Sequence, residues 1–155
     1  VAASYDEDQY FVAWQSYQNS THYDIYGRFV NGDGTTADVL HITDWIGAAQ
    51  EMHADIAYNP GSGHYLVVWE QQYDDLSGNF GIWGRLLHTD KTQDEKFEIV
   101  RPASSHDRWD PSVAAGSPGY LAVWEHERSD LTYQNVHGRI ITPHALFLPI
   151  VLQGL

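Results

Sequence analysis

The chain has 155 residues, 43% of them hydrophobic and 14% aromatic, which is enough for one domain with a buried core and too apolar for a disordered chain. Its 21 acidic residues outnumber 8 basic ones, and its only lysines are Lys91 and Lys96, so the composition excludes a nucleic-acid surface that follows phosphates. The absence of cysteine excludes disulfides and a cysteine nucleophile, and no apolar run approaches the roughly 18 residues of a membrane span.

One strand-like segment recurs three times along the chain. It reads YFVAWQ from Tyr10, YLVVWE from Tyr65 and YLAVWE from Tyr120. The tryptophans of the three copies lie 55 residues apart, at Trp14, Trp69 and Trp124. A fixed period of this size is typical of a repeat architecture.

Each repeat predicts four short strands. In the second copy the first strand is DIAY from Asp55, the turn is NPGSG, and the second strand is HYLVVWEQ. A polar loop of variable length follows, then a third strand with a Gly-Arg pair and an apolar fourth strand. No segment has sustained helical periodicity with caps. We therefore predict an all-β chain of three four-stranded antiparallel repeats, in one domain with units at about 1–50, 51–107 and 108–155.

The Gly-Arg pair of the third strand recurs in every copy, which favours a structural role. A glycine inside a strand marks a bulge or a close approach, and we expect the tryptophan of the second strand to lie across it. The arginine is expected to pair with an acidic residue of the next repeat or to stack on an aromatic ring. The predicted anchors besides the tryptophans are Gly27, Gly84, Gly138, Arg28, Arg85 and Arg139.

The unit DIAYNPGSGHYLVVWE followed by IWGRLL resembles the blade repeats of secreted bacterial β-propeller proteins, and this resemblance covers essentially the whole chain. The C-terminal HALFLPIVLQ (His144 to Gln153) also resembles an apolar Leu-aromatic-Leu-Pro tail of some exported bacterial proteins. The resemblance implies an extracellular or cell-surface protein. The tail is read either as an export or attachment cue or as the last outer strand.

Three blades are fewer than the four to eight with which propellers close, so two faces would stay open. Two chains could combine into a six-bladed ring, copies could add head to tail into a filament, or the chain could be part of a longer protein. A β-trefoil is the alternative fold, because it also has three four-stranded repeats and closes by itself.

Aromatic residues in loops or at strand ends are the candidates for binding a ligand or a partner. Aromatic faces beside carboxylates and amides hold sugars, and they also hold other proteins. These candidates are Tyr17, Tyr23, Trp45, Tyr73, Trp109 and Tyr133.

Catalytic and metal-binding motifs are weak. The segment NGDGTTAD has oxygen ligands at alternating positions, with Asp33 and Asp38 as calcium candidates, but a hairpin turn explains it better. The nine histidines form no HExxH or HxH pair, and no serine lies in a nucleophile elbow. Asn19, in NST, is a formal glycosylation sequon.

The sequence therefore predicts a non-enzymatic extracellular structural protein without a cofactor, which assembles with copies of itself through its open terminal repeats. A lectin-like module that binds glycans through the loop aromatics is the alternative.

Overall fold

The chain is all-β, as the repeat pattern predicts. The computed structural model describes residues 1–18, 22–43, 49–73, 79–102, 107–117, 119–126 and 135–142, together with the backbone of 148–150. Over these residues it forms three four-stranded antiparallel sheets and no helix. Accordingly, none of the described residues lies in a helix long and apolar enough to cross a membrane.

Each repeat folds into a sheet of its own, with its strands side by side in chain order. Sheet 1 contains β1 (Ala2–Ser4), β2 (Gln9–Gln18), β3 (His22–Asn31) and β4 (Leu40–His41). Sheet 2 contains β5 (Glu51–Asn59), β6 (His64–Gln72), β7 (Phe80–His88) and β8 (Phe97–Val100). Sheet 3 contains β9 (Arg108–Ala115), β10 (Tyr120–His126), β11 (Asn135–Ile141) and β12 (Leu148–Ile150).

Several strand boundaries differ from the sequence expectation. The polar segment predicted as a loop from Ser16 to Tyr23 supplies the ends of β2 and β3, where Tyr17 pairs with Tyr23. β5 begins at Glu51 rather than at Asp55, because a bulge between Met52 and Asp55 lets the strand continue past the predicted start. The tail predicted from His144 contributes β12, the last strand of sheet 3, within the described residues.

The described residues form two core clusters, one between each pair of neighbouring sheets. The first joins sheet 1 to sheet 2 and has large side chains from both, namely Phe11, Ile25, Phe29, Tyr65, Val67 and Trp69. The second joins sheet 2 to sheet 3 and includes Leu66, Val68, Ile82, Tyr120, Ala122 and Trp124. The sheets therefore pack face to face in chain order, with sheet 2 in the middle.

The alternation of a β-strand explains why β6 is apolar throughout. Tyr65, Val67 and Trp69 point to sheet 1, whereas Leu66 and Val68 point to sheet 3. All five side chains are fully buried. Because each repeat has a separate sheet and the cores lie between sheets, the arrangement is that of stacked propeller-like blades and not of strands shared in a trefoil barrel.

Candidate assembly faces

Sheet 1 has a face that no described residue of the chain covers. In β2 the side chains of Phe11 and Ala13 point to sheet 2, so Tyr10, Val12 and Trp14 point the other way. Tyr10 is 44% exposed and Trp14 is 37% exposed. We call the side chains of Tyr10, Val12 and Trp14, with their β3 neighbours Tyr26 and Arg28, the sheet-1 open face.

Rings are stacked across the sheet-1 open face. The ring centroids of Trp14 and Tyr26 lie 6.4 Å apart, and those of Tyr26 and His41 lie 4.7 Å apart with nearly parallel planes. The Tyr26 hydroxyl donates a 3.5 Å hydrogen bond to the buried carboxylate of Asp24. Burial and the nearby carboxylate raise the pKa of Tyr26 above its ordinary value. The face is therefore aromatic and partly accessible to solvent.

Sheet 3 has a complementary face, which is likewise left uncovered by the part of the chain that the structure describes. In β10 the side chains of Tyr120, Ala122 and Trp124 point to sheet 2, which leaves Leu121 and Val123 on the opposite side. Leu121 is 38% exposed, and Val136 of the neighbouring strand is 49% exposed. We call Leu121, Val123, Val136 and Ile140 the sheet-3 open face. A groove of about 250 Å³ beside it is lined in part by Ala114, Gly119, Leu121 and Ile140.

The same repeat positions form the two interfaces inside the chain. The Tyr65 ring lies 5.9 Å from the Phe11 ring and 5.8 Å from the Phe29 ring, centroid to centroid, and its hydroxyl donates to the Gln9 carbonyl at 3.2 Å. Tyr120, 55 residues later, packs in the second core, and its hydroxyl donates to the His64 carbonyl at 2.7 Å. The repeat tyrosine therefore fills the space between two neighbouring sheets.

Burial changes the pKa values of Tyr65 and Tyr120. Burial raises the pKa of Tyr65 to about 12 and that of Tyr120 to about 12. Desolvation disfavours the phenolate, and it outweighs the neighbouring hydrogen bonds that lower the pKa. Both phenols consequently remain neutral donors at physiological pH.

The tryptophan anchors have different surroundings in the three sheets. Trp69 is fully buried and Trp124 is 5% exposed, whereas Trp14 lies on the sheet-1 open face. The expectation that each tryptophan lies across the repeat glycine is wrong, because Gly27, Gly84 and Gly138 pair with the residue before the tryptophan. Neighbouring residues on paired strands share a face, so the tryptophan is on the opposite face.

Other side chains fill the space above the glycines. A Cβ at Gly27 would collide with the Phe11 ring, and one at Gly84 would lie 3.1 to 3.3 Å from Ile99, Phe97 and Leu66. The close approach expected at the repeat glycines is present at Gly27 and Gly84, and aliphatic and phenylalanine side chains make it.

One of the repeat arginines, Arg139, contacts the neighbouring sheet through a backbone oxygen. Arg139 of sheet 3 donates to the Ile99 carbonyl in the last strand of sheet 2. This partner lies in the preceding repeat, and it is neither an acidic residue nor a ring. Arg85 is buried, at 4% exposure, and Arg28 lies on the sheet-1 open face, where its Nε is buried without a hydrogen-bond partner among the described residues.

The predicted binding aromatics that the structure describes make contacts within the chain. The rings of Tyr17 and Tyr23 pair at 4.7 Å in sheet 1, and Trp109 packs on Phe80 at 4.6 Å. Tyr73 donates a 2.5 Å hydrogen bond to Glu98, and burial and that carboxylate raise its pKa well above the ordinary value. Trp45, Tyr133 and the sequon at Asn19 lie outside the described residues. The glycan hypothesis stays a prediction.

One of the two calcium candidates, Asp33, stabilises a turn. The Asp33 carboxylate accepts hydrogen bonds from the Thr35 backbone N–H and hydroxyl at 2.8 and 2.6 Å, and these bonds lower its pKa. Asp90 and Thr92 repeat this arrangement in sheet 2. Asp38 lines a surface groove beside Lys91. A hairpin turn therefore accounts for the segment around Asp33.

One cluster of potential metal ligands was missed by the sequence reasoning. Over the described part of the chain, His53, Glu70 and Asp110 form the only group of three or more such residues with ligand atoms within 4.8 Å of one another. They are far apart in sequence and belong to no known motif. The available clue was Glu70 itself, the acidic end of the most apolar strand.

Comparisons with known proteins give no relative from which a role could be transferred: no protein-family model, curated protein or solved structure matches the chain.

Proposed function

We propose that the chain is a non-enzymatic structural protein that assembles head to tail, with the sheet-1 open face of one copy packed on the sheet-3 open face of the next. The supporting observation is repeat equivalence. The two open faces carry the same repeat positions that are buried between sheets 1 and 2 and between sheets 2 and 3. A second copy would extend an interface that the chain already forms twice.

Tyr10 is the side chain that would fill the space between sheets in this contact. Its equivalents Tyr65 and Tyr120 insert into the preceding sheet, and Tyr10 is the one of the three that is exposed. The Tyr10 ring would bind in the groove at Leu121 and Ile140 of the next copy. These two residues occupy the repeat positions of Phe11 and Phe29. The groove is concave and largely apolar, as a buried ring requires.

Arg28 supplies a polar part of the same contact. Arg139 in the equivalent position donates to a backbone carbonyl in the last strand of the preceding sheet. Arg28 would donate in the same way to β12 of the next copy. Arg139 makes this bond through Nη1, so the corresponding nitrogen of Arg28 would be the donor.

The proposed contact joins two different surfaces, so it is heterologous. Such a contact produces a ring if the rotation between copies closes and a filament if it does not. Either assembly suits a structural or surface-attachment role outside the cell, the location implied by the resemblance to secreted repeats.

The test is the mass of the native particle, measured by light scattering and analytical ultracentrifugation over a range of concentrations. We expect particles heavier than the 17.6 kDa chain. Tyr10→Lys and Leu121→Lys should each give monomers, because a charge is placed in one apolar face. A mixture of the two variants should give a dimer of twice 17.6 kDa and no larger species, since each variant retains one intact face.

The matched control is Tyr5→Lys, which changes a tyrosine that is 89% exposed in the turn after β1. It should assemble like the unmodified chain. A folded monomer at every concentration would overturn the proposal. Dimers of Leu121→Lys alone would instead indicate a symmetric contact between two sheet-1 faces, which also contradicts head-to-tail assembly.

A further inference from the structure

A His–Glu–Asp cluster lies at the junction of sheets 2 and 3, away from both open faces. His53 is in the bulge of β5, Glu70 is in β6, and Asp110 is at the start of β9. His53 Nδ1 lies 2.8 Å from Glu70 Oε1 and 3.6 Å from Asp110 Oδ1. Residues from three strands and two repeats thus meet at one point.

Glu70 is the unusual member of the cluster. Its side chain is fully buried, and Oε1 accepts hydrogen bonds from the Asp110 backbone N–H at 2.6 Å and from His53. Its other oxygen, Oε2, is buried without a hydrogen-bond partner among the described residues. A buried carboxylate with an unsatisfied oxygen is costly unless a cation or a donor completes it.

The other two side chains leave one side of the cluster open to water. The side chain of His53 is 51% exposed and that of Asp110 is 65% exposed. Both residues have left-handed backbones, with φ of 51° and 46°, and the flanking strands hold these conformations. Two ligands are therefore reachable from solvent, while the third is fixed in the interior.

The spacing suits a small divalent ion. Ligands about 2.0 to 2.2 Å from a tetrahedral centre lie roughly 3.3 to 3.6 Å from one another. The 3.6 Å separation of His53 Nδ1 and Asp110 Oδ1 lies at the upper end of this range. The 2.8 Å between His53 Nδ1 and Glu70 Oε1 is a hydrogen-bond distance, so Nδ1 would exchange this bond for the ion and the two atoms would move apart by about 0.5 Å. An imidazole with two carboxylates is a donor set that suits zinc and its first-row neighbours, whereas Ca²⁺ and Mg²⁺ prefer oxygen alone.

We propose that His53, Glu70 and Asp110 bind a divalent transition-metal ion of the zinc class, with water at the open position. The ion would compensate the buried negative charge of the Glu70 carboxylate. It would also join sheet 2 to sheet 3, because Asp110 belongs to the next repeat. This site is independent of assembly, since none of its ligands lies on an open face.

Calorimetric titration of chelator-treated protein with ZnCl₂ tests the site. We expect one ion per chain and a thermal midpoint that rises by about 5 °C or more at a hundredfold excess of Zn²⁺ over Kd. His53→Asn and Asp110→Asn should each weaken binding at least about tenfold, a loss typical of damage to a metal site. Asparagine tolerates the left-handed backbone, so both variants should fold.

His88→Asn is the matched control. It removes a histidine from a comparable surface pair, in which His88 Nε2 lies 2.8 Å from Asp94 Oδ1. This variant should bind Zn²⁺ like the unmodified chain, and CaCl₂ should not compete. Absence of saturable binding would overturn the proposal. So would affinity unchanged in both asparagine variants, because the ion would then be held by other surface histidines.

Discussion

Sheet 2 and the two outer sheets contain the same repeat, yet they bury it differently. Trp69 is fully buried, whereas Trp14, at the equivalent position of sheet 1, is 37% exposed. Both residues occupy the same position of the repeated segment, in YFVAWQ and YLVVWE, and they differ in whether another sheet packs on that face. The comparison shows that burial here comes from the adjacent repeat, as expected for a linear repeat protein.

The largest expected difference is between two tryptophan truncations. Trp69→Ala should lower the free energy of unfolding by about 3–5 kcal/mol, because it leaves a cavity between sheets 1 and 2. Trp14→Ala should cost no more than about 1 kcal/mol in the monomer, since its ring is partly in water. Urea unfolding at low protein concentration measures both. Equal losses would mean that the face bearing Trp14 is covered.

An intermediate effect is expected at the repeat glycines. Gly27→Ala should cost about 1–3 kcal/mol, because its methyl group collides with the Phe11 ring, which is fully buried between sheets. Gly84→Ala should cost less than about 1 kcal/mol, since the nearest atoms are side-chain ends at 3.1 Å or more that can shift. The same urea measurement applies. The reverse order would contradict the packing described for Phe11.

The smallest effect at neutral pH concerns the buried tyrosines. Their folded pKa of about 12 is above the ordinary 10.0, so the folded chain keeps a proton that the unfolded chain loses. The stability that they contribute is therefore fully present below pH 10 and is lost as the pH rises through about 12. Unfolding of Tyr65→Phe and Tyr120→Phe between pH 9 and 12 should show a weaker alkaline loss than the unmodified chain. Comparing the two variants distinguishes the interface of sheets 1 and 2 from that of sheets 2 and 3. If the dependence of stability on pH were unchanged in both variants, the phenols would not be desolvated.

The sequence was sufficient to predict the repeats, the all-β class and most strands, because a two-residue alternation and turn residues are local properties. It was not sufficient for the direction in which each face points. The register that places Gly27 opposite Ala13, and so puts Trp14 on the other side, depends on pairing between strands. The cluster at Glu70 was also beyond reach, since its partners come from a bulge and from the next repeat.

Face-to-face packing in chain order has a consequence for how the molecule could be lengthened or shortened. A row of n such sheets has n − 1 interfaces and two ends, whatever the value of n. Inserting a second copy of repeat 2 would add one full interface and no new exposed end. Engineered chains of four or five repeats should thus gain stability per residue, and their terminal chemistry would remain that of Tyr10 and Leu121.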